Sequence, residues 1–248
     1  MKKLILLFFV LAANIAQADC FIAQEKDKIL IQEGECKKAY SPASSFKIAL
    51  TLIGFDSGIF KNIDDPVWSL PKGIDPYVNV CKADQNPRTW MKNSCVWYSK
   101  ILTKKLGIKK FQEYVTEFNY GNMDLSGGLT EAWLSNSLKI SPIEQIEFLQ
   151  KITSKKLPIS KKAYDLTKEI MFIQEMSGSW KLYGKTGNNR SQNGLQNGWF
   201  VGYIEKNNRT IVFASHIIDQ EKHDTLASLR ARNEALNKLW YLIDKLEQ

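Results

Sequence analysis

The chain has 248 residues, of which 44% are hydrophobic and 24% charged, and its formal net charge at pH 7 is +8. These fractions are ordinary for a globular protein, and the length suits one compact unit or two closely packed lobes. Because its 34 basic residues are scattered rather than arranged in a stripe, the excess charge indicates a solvated surface that mildly favours anionic ligands, and nucleic acid is not expected as a partner.

The first 18 residues have the pattern of a secretory signal peptide. Two lysines precede an apolar run, Leu4–Ala13, and Ala16-Gln17-Ala18 fits a small-x-small cleavage site. The apolar run is too short to cross a bilayer. We therefore expect a mature chain of residues 19–248 that carries no membrane anchor and is exported to a bacterial periplasm.

Four cysteines in an exported protein permit disulfides without requiring them. Cys20 and Cys36 flank a predicted β-hairpin, which would bring them near each other, so a bridge between them is left open. Cys81 and Cys95 are expected to be unpaired, and Cys95 to behave as a small buried hydrophobe. Attachment of a lipid to Cys20 is disfavoured, because Asp19 stands where a small residue is expected.

The character of the predicted elements changes twice along the chain. A β-hairpin comes first, helical patterns fill the middle, and segments rich in β-branched and aromatic residues follow Gly178. The hairpin runs are Phe21–Gln24 and Ile29–Gln32. One predicted helix opens at Ser44, and the others are Val96–Leu106, Lys109–Asn119, Pro142–Lys151 and Lys161–Ile170. The later strands are Trp180–Tyr183, Gly198–Ile204 and Thr210–Ile218, and a last helix begins near Thr225.

Strands at both ends of the chain around a helical middle predict an α+β architecture. We expect an antiparallel sheet formed from both termini and flanked by helices, with an inserted all-helical lobe. The sheet lobe is predicted to comprise about residues 19–43 and 179–248, and the helical lobe about 44–178. The two lobes together would form a single domain.

The motif Ser44-Ser45-Phe46-Lys47 places a hydroxyl and an amine three residues apart. Positions i and i+3 of a helix share a face, so Lys47 can take a proton from Ser44. The helix dipole there favours developing negative charge, and the backbone N–H of Ser44 can help to stabilise an oxyanion. A second S-x-x-K match at 69–72 contains Pro71 and lies in a turn, where the two side chains share no face. Judged alone, the first motif is more typical of a helix N-cap followed by a solvated lysine than of a catalytic pair.

A second motif, Lys185-Thr186-Gly187, lies in a strand-like segment suited to an anionic substrate. S-x-x-K together with K-T-G is the signature of penicillin-recognising serine enzymes. Between the two motifs lie Ser94-Cys95-Val96, Tyr120-Gly121-Asn122 and Trp133. In this order and spacing, the motifs resemble those of the class D serine β-lactamases, and the resemblance extends from Cys20 to the final helix.

The shortage of histidine agrees with this resemblance. A serine nucleophile needs a base, and His216 and His223 are the only histidines in the sequence, both after the site motifs. A Ser-His-Asp triad is therefore disfavoured, as is a zinc hydrolase, and no metal is expected. Lysine is the available base once burial lowers its pKa, and Phe46, Val96 and Trp133 are candidates to bury it.

The resemblance implies that Lys47 reacts with CO2 to give an N-carboxylated lysine, with no other cofactor. The carbamate would act as general base for acylation of Ser44 and again for hydrolysis of the acyl-enzyme. Trp133 would donate its indole N–H to the carbamate. Ser94 would carry the proton to the leaving nitrogen, and Val96 would line the substrate site.

The resemblance also implies how a substrate carboxylate binds. Lys185 and Thr186 would contact it, and Gly187 would admit the ligand beside the strand. An arginine on the last helix would complete this binding. Arg230 and Arg232 are both candidates, and Arg232 is preferred because the four residues that begin with it are closer to the family pattern.

Two positions depart from that pattern. Ser45 stands where the family more often has threonine, and Asn188 stands where an apolar residue is expected. The oxyanion hole would pair the backbone N–H of Ser44 with that of Asn188. The preferred β-lactams and the oligomeric state are left open.

The leading prediction is a β-lactam hydrolase that acts through a covalent serine ester and confers antibiotic resistance. The alternative is a covalent β-lactam sensor or penicillin-binding domain that is acylated without turnover. A cell-wall transpeptidase usually has S-x-N in place of S-x-V, and the S-x-N match here, Ser191-Gln192-Asn193, follows K-T-G and is in the wrong order. Small-molecule β-lactams are the expected partners in each case.

Overall fold

Both ends of the chain contribute to one sheet. The computed structural model describes residues 20–248, so the predicted signal peptide and its cleavage site lie outside the described residues. The strands are β1 Cys20–Glu25, β2 Lys28–Gly34, β3 Phe172–Glu175, β4 Lys181–Arg190, β5 Gln196–Lys206 and β6 Arg209–Ile218. They form a 6-stranded sheet in the order β2-β1-β6-β5-β4-β3, and all neighbours are antiparallel.

Helices cover both faces of the sheet. They are α1 Lys47–Asp56, α2 Pro87–Asn93, α3 Val96–Leu106, α4 Ile108–Glu117, α5 Pro142–Thr153, α6 Lys161–Met171 and α7 Ala227–Glu247. Short 3₁₀ turns occupy Ala43–Phe46, Asn79–Lys82 and Ser177–Ser179. Within residues 20–248, none of the helices is both long and apolar enough to cross a membrane.

The sheet buries two faces because side chains alternate along its strands. Tyr183 and Val201 lie in a core shared with the helices of the middle of the chain, whereas Leu182 and Phe200 lie in a second core beneath α7. The predicted α+β architecture, with an antiparallel sheet built from both termini, is confirmed. The division into two lobes stays a prediction.

Two elements were not predicted, namely α2 and β3. Helix α2 has a start signal, because the Asn86 side chain accepts a hydrogen bond from the Thr89 N–H and Pro87 occupies the first turn. Its seven residues are too few to reveal a helical period within a proline-rich stretch. Strand β3 has only four residues, none of them buried, so it carries no alternating pattern.

Both cysteine pairs are bridged, Cys20 to Cys36 and Cys81 to Cys95. The expectation that Cys81 and Cys95 are unpaired is therefore wrong. The chain turns back through α2 between them, which brings their Cα atoms to 5.5 Å, a separation that a disulfide spans. Because α2 was not predicted, nothing in the sequence indicated that these two cysteines lie close together.

We expect the Cys81→Ala/Cys95→Ala variant to lose about 2–4 kcal/mol of unfolding free energy, because the bridge restricts the unfolded chain. Urea denaturation of the variant and the parent would measure the loss. The Cys20→Ala/Cys36→Ala variant is the matched control, because its sequence separation of 16 is close to the 14 of the first pair. A parent-like unfolding free energy in the first variant would contradict this role of the bridge.

Candidate active site

Ser44 and Lys47 meet at the start of α1. Ser44 lies in the 3₁₀ turn Ala43–Phe46, and Lys47 is the first residue of the α-helix, which begins three residues later than the sequence predicts. Lys47 Nζ lies 3.1 Å from Ser44 Oγ, within hydrogen-bond distance. Ser44 is half-buried and Lys47 is fully buried. A hydroxyl that reaches solvent therefore lies against an amine that does not.

The surroundings of Lys47 favour its neutral form. Burial lowers the pKa of the amine well below its usual value, and the charge of Lys185 lowers it further. The Lys47 amine also lies 5.9 Å from the centroid of the Trp90 ring, among apolar and aromatic groups. A neutral amine beside a serine hydroxyl can accept its proton, which an ordinary lysine ammonium cannot.

Trp133 holds the segment that leads into Ser44 and keeps one polar group without a partner. Its carbonyl accepts hydrogen bonds from the Ser41 hydroxyl at 2.7 Å and from the Ala43 N–H at 3.1 Å. Its ring centroid lies 5.7 Å from that of Phe46, the residue before Lys47. The indole Nε1 is buried and has no hydrogen-bond partner among residues 20–248. Unsatisfied buried donors are rare, so this one indicates a missing acceptor.

Ser94 lies in the short connection between α2 and α3. Its backbone has φ 63° and ψ 32°, the left-handed region that a non-glycine residue seldom occupies. The N–H of Ser94 donates to the Trp90 carbonyl at 2.8 Å, and the next residue, Cys95, is bridged to Cys81. Trp90 therefore contacts Ser94 through its backbone and lies near Lys47 through its ring. Val96 follows as the first residue of α3.

The K-T-G motif lies on β4 where one edge of that strand is open. Strand β3 pairs with β4 only as far as Tyr183, so from Gly184 onwards the outer edge has no strand neighbour within residues 20–248. Lys185 is buried, and burial lowers its pKa from 10.5 to about 7. Its Nζ donates to the Thr186 carbonyl at 3.0 Å.

At Gly187, strand β4 contacts the 3₁₀ turn Ala43–Phe46, which carries Ser44 and is called the nucleophile turn below. A Cβ atom at this position would lie 2.6 Å from the Pro42 carbonyl oxygen and 2.8 Å from the Ser45 nitrogen. Real Cβ atoms do not approach backbone so closely, so the turn and the strand can meet only at glycine. The structure thus gives Gly187 a packing reason in addition to the expected access for a ligand.

The structure separates the two candidate arginines. Arg230 forms an ion pair with the buried carboxylate of Asp219. Arg232 instead lines a cavity of about 460 Å³ together with Lys185 and Thr186. The Nε atoms of both arginines are buried without a hydrogen-bond partner in the described part of the chain, so the ion pair and the cavity distinguish them. Arg232 is therefore the one of the two that is open to a ligand at the K-T-G edge.

The side chain of Asn188 points away from this edge. Its Oδ1 accepts from the Ser228 N–H at 3.0 Å, and its Nδ2 donates to Gln196 at 3.1 Å. These bonds attach β4 to the start of α7 and to the first residue of β5. A polar residue at position 188 therefore has a structural partner, and only its backbone belongs to the open edge of the strand.

Gln145 is a site residue that the sequence prediction missed. It is buried on α5, and its Nε2 donates to Ser45 Oγ at 3.2 Å and to Tyr120 OH at 3.3 Å. The network joins the nucleophile turn to the Tyr120-Gly121-Asn122 motif. The sequence did indicate this role, because Gln145 lies on the apolar face of a predicted helix. A side-chain amide is normally buried only where it forms hydrogen bonds.

Neither histidine contributes to the serine–lysine pair. His216 is buried on β6 between the rings of Tyr40 and Trp199, and its Nε2 donates to Asn197 Oδ1 at 2.6 Å. Burial lowers its pKa to about 3. A serine, a buried neutral lysine and an open cationic strand edge define a serine enzyme of the penicillin-recognising class.

Comparison with known proteins agrees with this class. A family model described as "Penicillin binding protein transpeptidase domain" matches residues 15–240. The chain is 42% identical over 224 residues to β-lactamase OXA-9 of Klebsiella pneumoniae, covering 85% of this chain and 82% of that protein. It is 41% identical over 216 residues to β-lactamase OXA-1 of Escherichia coli, covering 84% and 77%. The crystal structure of the class D β-lactamase OXA-427 matches with a TM-score of 0.85 and 37% identity, covering 92% of this chain and 99% of that one.

The chain therefore belongs to the class D β-lactamases, within the penicillin-binding protein transpeptidase family. It is a serine enzyme that hydrolyses β-lactams, and hydrolysis of these antibiotics is the reaction by which such enzymes confer resistance.

We expect Gly187→Ala to lower β-lactam hydrolysis by about 100-fold while the chain still folds, because the new methyl group displaces the turn that carries Ser44. Initial rates with a chromogenic β-lactam and the circular dichroism spectrum would measure both effects. Gly127→Ala is the control, since the three atoms nearest to its Cβ would belong to the movable side chain of Asn136 rather than to backbone. Equal rates in the two variants would contradict the packing role of Gly187.

Proposed function

We propose that the enzyme hydrolyses β-lactams through a covalent ester on Ser44, with N-carboxylated Lys47 as the general base. One observation carries the proposal: the fully buried amine of Lys47, whose pKa is lowered by that burial, lies 3.1 Å from the half-buried hydroxyl of Ser44. Deprotonation of Ser44 by the carboxylated side chain makes its hydroxyl oxygen a nucleophile towards the β-lactam carbonyl.

The other predicted residues have roles that follow from their positions. The Ser94 hydroxyl, held by an unusual backbone conformation, passes a proton to the nitrogen of the opened ring. The backbone N–H groups of Ser44 and Asn188 stabilise the oxyanion. Arg232 and Thr186 bind the substrate carboxylate beside the K-T-G edge.

Carboxylation of Lys47 is favoured by two features of the chain. Only a neutral amine reacts with CO2, and burial favours the neutral form of this amine because it lowers its pKa. Trp133 provides a buried N–H without a partner, a suitable donor for a carbamate oxygen. The carboxylated lysine supplies a base for both half-reactions, the attack of Ser44 and the attack of water on its ester.

Export to the periplasm is part of the same proposal. Its support is the pattern of residues 1–18, which end in a small-x-small site. A mature protein that begins at Asp19 is the expected product of cleavage. Mass spectrometry of the protein secreted by a Gram-negative host would give its N-terminal residue.

The proposal is tested by following a chromogenic β-lactam with the protein of residues 19–248, with and without bicarbonate, while mass spectrometry tracks the adduct on Ser44. Many turnovers and a rate that rises with bicarbonate are the expected results. A single stoichiometric burst that leaves a stable adduct would contradict turnover and would instead indicate a β-lactam sensor or penicillin-binding domain.

We expect Lys47→Ala to lower the hydrolysis rate by about 10³-fold, because no other described group is placed to deprotonate Ser44. The rate of this variant should also be insensitive to bicarbonate. Lys72→Ala is the matched control, since Lys72 belongs to the second S-x-x-K match and is exposed. Wild-type rates in a folded Lys47→Ala protein would rule out the mechanism.

The pKa of Lys185 predicts a pH dependence of binding. A substrate carboxylate binds the charged amine more tightly, so affinity should weaken as the pH rises through about 7, where Lys185 loses its proton. With Ser44→Ala protein, which cannot be acylated at this position, we expect the Kd of benzylpenicillin to rise about tenfold across this range.

The double variant Ser44→Ala/Lys185→Arg should show a flat Kd, because a guanidinium stays charged. Ser44→Ala/Lys181→Arg, changed at an exposed position of the same strand, should keep the pH dependence. The same pH dependence in all three proteins would contradict the assignment to Lys185.

A further inference from the structure

The cavity at the K-T-G edge is longer than one carboxylate requires. Lys185, Thr186 and Arg232 line one part of it, and its remaining wall comes from α2 and from the junction between α6 and β3. Its volume of about 460 Å³ is in the range of small-molecule sites. The cavity therefore continues past the point where the substrate carboxylate is proposed to bind.

Of the cationic side chains that line the cavity, some form ion pairs with carboxylates and others do not. Arg88 lies 3.2 Å from Asp64 and 3.3 Å from Glu169, so these cavity charges are already paired. Lys92, in the last turn of α2, also lines the cavity, and no carboxylate of residues 20–248 lies within 4.0 Å of it. Lys92 is exposed, so its ammonium is hydrated rather than paired, and it is still available to a second anion once a carboxylate is bound at Arg232.

The wall between these cations is apolar. Met171 and Phe172, at the end of α6 and the start of β3, face the cavity together with Met91 and Phe200. Phe172 is 47% exposed, which leaves its ring available for contact. A flat ring that also carries a negative charge would pack on this wall and reach the cation beside it.

We propose that the far part of this cavity is a subsite for a second anionic group of the substrate, an acidic heterocycle carried next to the ring carboxylate, and that Lys92 selects for it. The inference rests on the proposed binding of the first carboxylate at Arg232. In a cephalosporin, C3 adjoins C4, which bears the carboxylate, so a C3 substituent leaves the ring on the side of the carboxylate. A substituent at C3 therefore extends into the part of the cavity beyond the carboxylate.

Ceftriaxone and cefotaxime test this directly. They share the C7 side chain and the ring carboxylate, but ceftriaxone carries an acidic triazinedione ring at C3 and cefotaxime a neutral acetoxymethyl group. The quantity measured is the ratio of their acylation rate constants, ceftriaxone to cefotaxime, obtained by competition against a chromogenic β-lactam. We expect this ratio to fall about threefold in Lys92→Gln and about tenfold in Lys92→Glu, and to fall with added salt in the parent.

Lys104→Gln is the matched control, because Lys104 is an exposed cation in the last turn of a helix outside the cavity. Its ratio should equal that of the parent. An unchanged ratio in both Lys92 variants would overturn the subsite. Turnover of benzylpenicillin by the parent protein is measured separately. If the parent does not turn it over, the proposed hydrolysis is refuted, whereas the ratio of acylation rate constants still tests the subsite. A chain that neither cephalosporin acylates would overturn both.

Discussion

The burial of the Lys47 amine is the constraint on which the site depends. In water this group is a cation and cannot act as a base, whereas here burial, aided by the charge of Lys185, lowers its pKa well below the usual value. Folding thus has to exclude water from an amine and still leave the neighbouring Ser44 half-buried, with access to solvent. The two requirements explain why the pair lies at the start of a buried helix, where one residue points inwards and the other outwards.

Three distant parts of the chain hold the turn that carries Ser44. The Trp133 carbonyl accepts hydrogen bonds from the segment before it, Gln145 donates to the Ser45 hydroxyl, and β4 approaches closely at Gly187. None of these contacts touches Ser44 Oγ itself. They fix the backbone on either side of it, which is how a reactive hydroxyl is positioned without engaging its acceptor or donor capacity.

Cationic side chains lie on both faces of the sheet beside the open edge of β4. Lys185 projects from one face of the strand towards the core of Lys47, and Thr186 projects from the other towards α7 and Arg232, because neighbouring side chains of a strand alternate. Since β3 ends its pairing at Tyr183, the cavity can pass around this edge from one face to the other. A short edge strand thus creates the space in which anionic groups meet cations of both faces.

The local chemistry and the broad architecture can be predicted from residues that are close together in the chain. The i, i+3 spacing of Ser44 and Lys47, the periodicity of α3 and α5 and the strands at both ends are properties of neighbouring residues, so they can be read from the chain. The contacts between groups of distant segments, in contrast, are seen only in the folded protein. The bridge of Cys81 to Cys95, the pairing of Arg230 with Asp219 that leaves Arg232 open, and the place of Gln145 beneath the turn depend on how helices pack on the sheet. The periodicity of the sequence does not predict these contacts, because each of them joins elements whose relative positions depend on packing throughout the core.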